Sequence, residues 1–222
     1  MYLPLESFYT HFTEKVISFM TTLTKSNRYN NVSIFLHWLI ALGIIFMFCL
    51  GWYMEDLPKG AAAKTTTFDL FNFGIYTWEV AKELSPRSFY FNLHKSVGVT
   101  LFTLIIIRIF WRFTHKPPAL LKTMKPWEKR LATGAHHGLY FLMIATPIAG
   151  IAMSLSSKYG IKWFGIELIG GFDNKASREL FKEFHEIFGA LILAILFFHI
   201  AGALKHTFIN KDGTLKRMWF HK

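Results

Sequence analysis

Long uncharged apolar stretches alternate with charged segments along this chain. No Asp, Glu, Lys or Arg occurs in residues 34–53, 131–157 or 187–204, and residues 89–107 contain only Lys95. Each stretch is close to the length of about 20 residues with which a helix crosses the hydrocarbon core of a membrane, and Lys95 lies near one end, from which it reaches the headgroups. The pattern predicts an all-α membrane protein, a bundle of four transmembrane helices at roughly 32–54, 89–113, 131–157 and 184–209.

The four spans form one predicted domain, residues 31–218, between an N-terminal extension and a short tail, residues 219–222. The extension, residues 1–30, has no unbroken apolar run like that of a cleavable signal peptide. Its spacing is typical of an amphipathic helix on the membrane surface, although a frayed terminus explains it equally well. The apolar side chains that recur every three or four positions are Phe8, Phe12, Val16, Met20 and Leu23.

The connections at residues 55–88 and 158–184 are long and rich in aromatic residues. They follow the first and third spans and therefore lie at the same end of the predicted bundle. We expect each connection to form short helices that cap this end.

Basic residues are concentrated at the opposite end of the bundle. The N-terminal segment, the second connection and the C-terminal end contain 15 of the 25 Lys and Arg but only 4 of the 14 Asp and Glu, so the net charge of +11 belongs to this end. Because cytoplasmic segments are enriched in Lys and Arg, both termini are predicted to be cytoplasmic. We call this end inner and the other outer. A nucleic-acid-binding surface also explains such charge, but the sequence has no soluble basic domain to carry one.

The composition fits a membrane protein and limits its chemistry. Apolar residues make up 52% of the chain and charged residues 18%, which is unlike a typical soluble domain. The 24 Phe, 7 Trp and 8 Tyr exclude a disordered chain. A single cysteine, Cys49, excludes an intramolecular disulfide and a Cys-rich metal or iron–sulfur site. Any cofactor must therefore be held by other side chains.

Histidines occur in every predicted span, and four of them fall at two depths. An imidazole inside hydrocarbon is costly and usually faces the bundle interior in a functional role. His37 and His199 lie at the inner level, on the first and last spans. His94 and His185 lie at the outer level, and His199 follows His185 by 14 residues, about 21 Å along one helix face. Helix packing explains any one of these histidines equally well, but it explains two level pairs poorly.

The two pairs suit haem iron better than other metals. A zinc site needs more ligands at one level, and di-iron bundles use Glu-x-x-His pairs that these spans lack. Two imidazoles form a six-coordinate b-type haem, which carries electrons and binds no substrate on the iron. We therefore predict two haems b, an outer one held by His94 and His185 and an inner one held by His37 and His199. The glycines that leave room for a flat macrocycle, unless they serve helix packing, are Gly51, Gly98, Gly189 and Gly202.

These histidines stand in motifs that resemble the bacterial cytochrome b561 family. The resemblance covers roughly residues 31–218 and implies a diheme b-type cytochrome of the cytoplasmic membrane. The ligands that it implies match the four histidines selected above. The segments that carry the resemblance are LHW at His37, HKSVG at His94, H-x-x-x-Y at His136 followed by PIAG, HEIFG at His185, and the run from His199 through His206 to KDGTLKRM.

The best described members of this family are superoxide oxidases, which pass electrons from superoxide to ubiquinone. By motif, their quinone contacts correspond to His206 and Lys122 in this chain, although the loop that carries Lys122 differs slightly in length. The N-terminal extension and the long first outer connection depart from that class. The electron donor therefore stays open between superoxide and a periplasmic protein.

Three further residues each have a functional and a simpler explanation. His136 either gives a proton or hydrogen bond to a quinone or is an ordinary interface histidine. Arg108, on the helix face of His94 but at the inner level, either pairs with haem propionates or anchors its span. Lys95 either attracts an anion such as superoxide or reaches for the headgroups. The neighbouring His137 points away from His136 and is expected to be structural.

Two classes of function follow for this membrane protein. The first is an enzyme, a superoxide:ubiquinone oxidoreductase, that moves electrons from the outer to the inner end. The second is an electron-transfer subunit for a protein redox partner, like the diheme membrane subunits of hydrogenases and formate dehydrogenases. The predicted partners are membrane lipid, a quinone and an outer donor, whereas a non-redox transporter gives no reason for paired histidines.

Overall fold

Four long helices dominate the computed structural model, which describes residues 28–59 and 63–220 together with Lys15. Each of the four is long and apolar enough to span a membrane, which confirms the predicted all-α bundle of four transmembrane helices. The interfacial helix predicted for residues 1–30 lies almost entirely outside the described residues. The helices are α1 (Asn31–Asp56), α2 (Pro86–Thr114), α3 (Pro126–Leu155) and α4 (Lys175–Phe208).

Polar caps stand at the starts of α2 and α4, which begin before the apolar stretches that predict them. The Ser85 hydroxyl accepts a hydrogen bond from the Ser88 amide ahead of α2, with Pro86 in the first turn. Asn174 does the same for α4, where its side chain accepts from the Ser177 amide at 3.0 Å. Such caps satisfy the free N–H groups of a first turn. A hydropathy pattern places the membrane-crossing part of a helix but not the polar turns that precede it.

The helices pack in sequential order, α1 on α2, α2 on α3 and α3 on α4. Only 11% to 22% of the residues in the most apolar part of each span are buried. The outward faces of the bundle are therefore largely apolar, as contact with lipid requires. The buried side chains of the middle of the bundle are Ile40, Leu101, Ile105 and Met143.

Two β-hairpins cover the outer end of the bundle. Short helices were expected there, but the connections form strands instead, apart from one 3-10 turn, Leu70–Asn72, between the strands of the first hairpin. Strand β1 (Thr65–Asp69) pairs antiparallel with β2 (Thr77–Leu84), and β3 (Ile161–Trp163) pairs with β4 (Ile166–Ile169). The segments TTTFD, TWEVAKEL, IKW and IELI are rich in β-branched and aromatic residues, which favour strands. Gly74 and Gly165, with φ of 68° and 91°, lie between the paired strands, and glycine adopts such angles at no steric cost.

The first hairpin is held to the outer end of α2 by aromatic side chains. The rings of Phe68 and Phe89 stack at 4.1 Å with an interplanar angle of 4°. The Tyr90 hydroxyl accepts a hydrogen bond from the Phe71 amide and donates one to the Asp69 carbonyl, both at 2.9 Å. The connection between α1 and α2 is therefore a packed part of the domain.

The second hairpin is held to α2 and α3 by polar contacts. Lys95 donates to the Gly160 carbonyl at 3.2 Å, and the Ser154 hydroxyl donates to the same carbonyl at 2.5 Å. The Ser96 hydroxyl accepts from the Phe164 amide at 2.9 Å. Lys95 thus fastens a hairpin, which neither explanation from the sequence foresaw.

The C-terminal segment folds back over the inner end of the bundle. A short 3-10 helix, Leu215–Met218, follows α4, and the Trp38 indole donates to the Met218 carbonyl at 2.7 Å. Near the end of α4, Lys205 forms an ion pair with the buried Glu128 at the start of α3. The inner end therefore ties α1, α3, α4 and the C-terminal segment together.

Candidate functional site

The structure brings together the side chains of both predicted histidine pairs. At the outer level the ring centroids of His94 on α2 and His185 on α4 lie 6.1 Å apart, with the rings inclined at 75°. At the inner level those of His37 on α1 and His199 on α4 lie 6.3 Å apart, inclined at 65°. Helix α4 thus contributes one histidine to each pair, and the role of these rings as iron ligands stays a prediction.

Both separations suit a single metal ion held between two rings. A bond from a metal to an imidazole nitrogen is about 2.0 to 2.1 Å long. Two imidazoles on opposite sides of one ion therefore have centroids roughly 6 Å apart. Among the described residues, no group of three or more His, Cys, Asp or Glu side chains is placed to hold a metal ion. The histidine pairs are therefore candidates for two-ligand sites.

Hydrogen bonding at the outer pair leaves nitrogen lone pairs for a ligand. His185 Nδ1 lies 2.9 Å from the Thr146 carbonyl of α3. A carbonyl only accepts, so Nδ1 carries the proton and Nε2 of the neutral ring carries the lone pair that binds a metal. His94 Nδ1 is buried and has no hydrogen-bond partner among the described residues. A buried polar atom of this kind points to a group that completes the site.

Two glycines lie against the rings of the outer pair. A Cβ at Gly150 of α3 would lie 3.0 Å from His185 Cε1 and Nδ1, and one at Gly51 of α1 would lie 3.9 Å from His94 Cε1. A Cβ at Gly150 would require the His185 ring to give way by a few tenths of an ångström, so glycine gives this ring the room in which it reaches the Thr146 carbonyl. Gly150 belongs to the PIAG segment, whose glycine the sequence analysis did not connect with His185.

The other three predicted glycines were expected either to leave room for a macrocycle or to serve helix packing. Gly202 of α4 has no described atom within 4 Å of where a Cβ would lie, so it serves no close contact between helices. A Cβ at Gly98 would meet Met47 Cε at 3.4 Å, and one at Gly189 would meet Phe48 Cε1 at 3.7 Å. These last two glycines therefore serve contacts between helices.

Cationic and polar groups surround the inner pair. Arg108 donates to His37 Nδ1 at 3.1 Å, and its guanidinium lies 5.9 Å from the centre of the Tyr140 ring. Beside it is a small cavity whose lining includes Ser33, Arg108, Arg112 and Tyr140. Two arginines with hydroxyl groups form a suitable site for carboxylates, because guanidinium groups bind carboxylates through paired N–H donors.

His136 of α3 joins the inner pair, since its ring centroid lies 5.4 Å from that of His199. The exposed His137 lies 3.0 Å from the Thr133 carbonyl of its own helix through Nδ1. His136 therefore faces the bundle interior and His137 points away from it, as the sequence predicts.

The two residues matched to a quinone site, His206 and Lys122, do not contact each other through a hydrogen bond or an ion pair among the described residues. His206 near the end of α4 is buried, and its Nδ1 lies 2.6 Å from Asp212 Oδ2. Lys122 is an exposed residue of the connection between α2 and α3.

Two partners of these histidines, the Thr146 carbonyl and Asp212, were not predicted from the sequence. The Thr146 carbonyl leaves no signal in a sequence, because any residue carries one. Asp212 was counted only as a charge, although it follows His206 by six residues and precedes Gly213, a sequence typical of a turn that brings an acid back toward the helix end.

The residues at both levels fit the haem that the sequence predicts. The ring separations, the unpartnered His94 Nδ1 and the inner arginines are three independent features of that fit. An iron held between two imidazoles is suited to accepting and donating single electrons. The arrangement is therefore one for electron transfer through the bundle.

Comparison with known proteins gives a consistent result. The sequence model of a family described as prokaryotic cytochrome b561 matches residues 28–221. The chain is 31% identical over 202 residues to cytochrome b561 homolog 2 of Escherichia coli K12, covering 90% of this chain and 95% of the relative. It is 26% identical over 194 residues to the probable superoxide oxidase CybB of Yersinia pestis, covering 86% and 95%. The chain therefore belongs to the prokaryotic cytochrome b561 family and is a multi-pass electron-transfer protein of the bacterial inner membrane that binds b-type haem.

Proposed function

We propose that this protein carries electrons through two haems b from superoxide at its outer end to ubiquinone at its inner end. The observation that carries the proposal is the pair of two-ligand sites, with ring separations of 6.1 and 6.3 Å. The two sites share α4, and 14 residues, about 21 Å of helix, separate its two histidines. Electrons entering at one level can therefore reach the opposite side of the membrane within one bundle.

The haems supply reversible one-electron chemistry, and the chain's residues hold, orient and shield them. His185 is oriented by the Thr146 carbonyl, which holds a proton on Nδ1 and leaves Nε2 for the iron. Gly150 provides the space for this orientation. Each histidine pair would hold a haem iron without leaving a position for a small molecule on the metal, so the donor and the acceptor would exchange electrons with the haem without binding its iron.

At the inner level Arg108 is proposed to hold haem propionates. Arg108 donates a hydrogen bond to His37 Nδ1. A neutral His37 that binds iron through Nε2 carries its proton on Nδ1, and Nδ1 then cannot accept this hydrogen bond. Binding of a propionate by Arg108 would therefore require its guanidinium to turn from His37 Nδ1 toward the cavity. Its guanidinium lies on the cavity that also contains Arg112 and Tyr140, where carboxylates are suitable acceptors.

The orientation of the protein rests on the positive-inside rule. The inner end carries 15 of the 25 basic residues, and both termini are proposed to be cytoplasmic. The outer histidine pair and both hairpins then face the periplasm. Lys95 contributes positive charge at the outer end, although its ammonium group is used to hold the second hairpin.

Quinone reduction is proposed at the inner end, next to His206. The similarity to a relative named a probable superoxide oxidase supports superoxide as the donor. A periplasmic redox protein is the second candidate, because two hairpins with exposed aromatic residues, Tyr76 and Phe164 among them, cover the outer end. His136, beside His199, is proposed to assist with a hydrogen bond or a proton, and Lys122 to steady charge on the quinone.

Replacing one histidine of a pair should remove one haem. His94→Ala or His185→Ala should reduce the haem content from about two per chain to about one, since a single imidazole binds haem weakly without its partner. His37→Ala or His199→Ala should remove the other haem and leave a different reduced spectrum. A pyridine haemochrome assay measures the haem content, and the dithionite-reduced spectrum of the native protein identifies the haem that remains. One haem per wild-type chain would contradict the two-site proposal.

A packing variant tests the same site without removing a ligand. Gly150→Val should displace the His185 ring, because a Cβ there lies 3.0 Å from it, and should lower the outer haem content to less than half. Gly134→Val is the matched control, since it makes the same change on the same helix at a position with open space. Equal haem contents in both variants would show that His185 is not held as proposed.

Superoxide supplied at the outer face should reduce the haems. In spheroplasts, which expose the periplasmic side, an enzymatic superoxide source should produce the reduced α-band within seconds, and superoxide dismutase should abolish it. Inverted membrane vesicles should respond more slowly, because an anion crosses lipid poorly. Faster reduction in inverted vesicles would reverse the proposed orientation, and reduction only by dithionite in both would favour a protein donor.

The proposed quinone site depends on His206. His206→Ala should keep both haems and their reduction by dithionite but lose quinone-linked turnover about a hundredfold or more, the usual contribution of a positioned acid. His137→Ala, an exposed histidine of α3, should turn over quinone normally. If His206→Ala instead loses a haem, His206 is a ligand, and normal quinone turnover would place the quinone site elsewhere.

A further inference from the structure

The chain makes a tight turn after α4 that returns an acidic side chain to His206. Helix α4 ends at Phe208, and Lys211 and Gly213 then adopt positive φ angles of 51° and 79°. The Asp212 amide donates to the carbonyl of His206 at 3.2 Å. This backbone contact places the Asp212 carboxylate directly beside the ring of His206.

The Asp212 carboxylate is buried and almost fully hydrogen-bonded. One oxygen lies 2.6 Å from His206 Nδ1, and the other accepts from the Thr214 amide at 3.0 Å and the Thr214 hydroxyl at 2.6 Å. The side chains of His206 and Asp212 are 9% and 6% exposed. Burial acts to raise the pKa of Asp212, but hydrogen bonds from Thr214 and His206 outweigh it and hold this pKa below its usual value. Asp212 is therefore ionised at neutral pH.

An ionised carboxylate determines which nitrogen of His206 carries a proton. A carboxylate only accepts hydrogen bonds, so His206 Nδ1 must carry the hydrogen that lies between the two groups. Asn210 Nδ2 lies 3.0 Å from the same nitrogen. An amide nitrogen only donates, so a proton on Nδ1 requires the Asn210 amide to be turned over, with its oxygen toward the ring. Both contacts of the ring use Nδ1, which leaves Nε2 for another group.

We propose that Asp212 is a positioning residue for quinone reduction: it fixes the proton of His206 on Nδ1 and so presents Nε2 to the quinone. The inference rests on the proposed role of His206 as the proton donor. It explains why a buried carboxylate is placed against this histidine, at the end of a helix whose other polar side chains, such as Lys205, have separate partners.

The proton balance of the reaction gives each nitrogen of His206 a distinct task. Reduction of a quinone to a quinol takes up two electrons, which arrive by electron transfer through the bundle, and two protons. In each transfer the Nε2–H bond of the protonated ring breaks and an O–H bond of the quinol forms. The ring that remains is neutral and keeps its proton on Nδ1 against Asp212. Nε2 then takes a new proton from the aqueous phase at the inner end.

Two electron acceptors with different proton requirements test this role. The haem-loaded full-length protein is reduced and then oxidised either by a soluble ubiquinone analogue or by ferricyanide, which takes an electron and no proton. Asp212→Asn should lower kcat with the quinone about tenfold to a hundredfold, the usual effect of losing a residue that orients another, with a smaller change in KM. Haem content and the ferricyanide rate should stay at the wild-type values.

Conservative and control variants separate positioning from folding. Asp212→Glu keeps the carboxylate and should recover part of the quinone rate, and Thr214→Val, which removes one hydrogen bond to the carboxylate, should lower that rate only severalfold. Asp173→Asn, at an exposed position of the outer end, should have no effect. Loss of haem in Asp212→Asn, or an equal loss with both acceptors, would show a structural role and overturn the inference.

Comparison with His206→Ala distinguishes this inference from the proposed function. If His206→Ala loses the quinone rate and Asp212→Asn keeps it, the quinone site stands and the role of Asp212 is wrong. If both variants keep the quinone rate, the proposed site at His206 is itself wrong, and this inference is overturned with it.

Discussion

The constraint on which this structure depends is that an imidazole inside a lipid bilayer needs a partner. Water is absent there, so each ring nitrogen has to find a donor, an acceptor or a metal within the bundle. Helix α4 meets this need twice, because His185 and His199 lie on one face and each has a ring from another helix about 6 Å away. The histidine pairs therefore fix the rotation and depth of α1, α2 and α4 relative to one another, because rotating any one of these helices about its axis would separate a pair.

Backbone groups as well as side chains shape the surroundings of these rings. The Thr146 carbonyl orients His185, and Gly150 leaves space for that contact. Helix α3, which contributes neither histidine of the outer pair, is thus important for its geometry. At the inner level Arg108 and His136 crowd the second pair. Two arginines and a third histidine lie at the inner level, and these groups favour negative charge there.

The two ends of the bundle are built for different contacts. The outer end is closed by two hairpins that are fastened by aromatic stacking and by hydrogen bonds from Lys95, Ser96 and Ser154. The inner end is polar, and the turn that carries Asp212 folds back on α4 beside the ion pair of Lys205 and Glu128. The outer end is therefore covered by packed hairpins, whereas the inner end holds a buried histidine against a carboxylate.

The sequence by itself determined the class of the protein, its four spans and the two histidine levels, because hydropathy, the rise of a helix and its rotation per residue are local properties. The family followed from motifs around the same histidines. Tertiary structure alone decided that the outer connections are hairpins, that Lys95 holds one of them, that Gly150 rather than Gly189 lies against His185, and that Asp212 meets His206. Each of these depends on contacts between residues of different elements or on a turn that reverses the chain. Such contacts follow from the packing of the whole bundle and leave no periodic signal in the sequence.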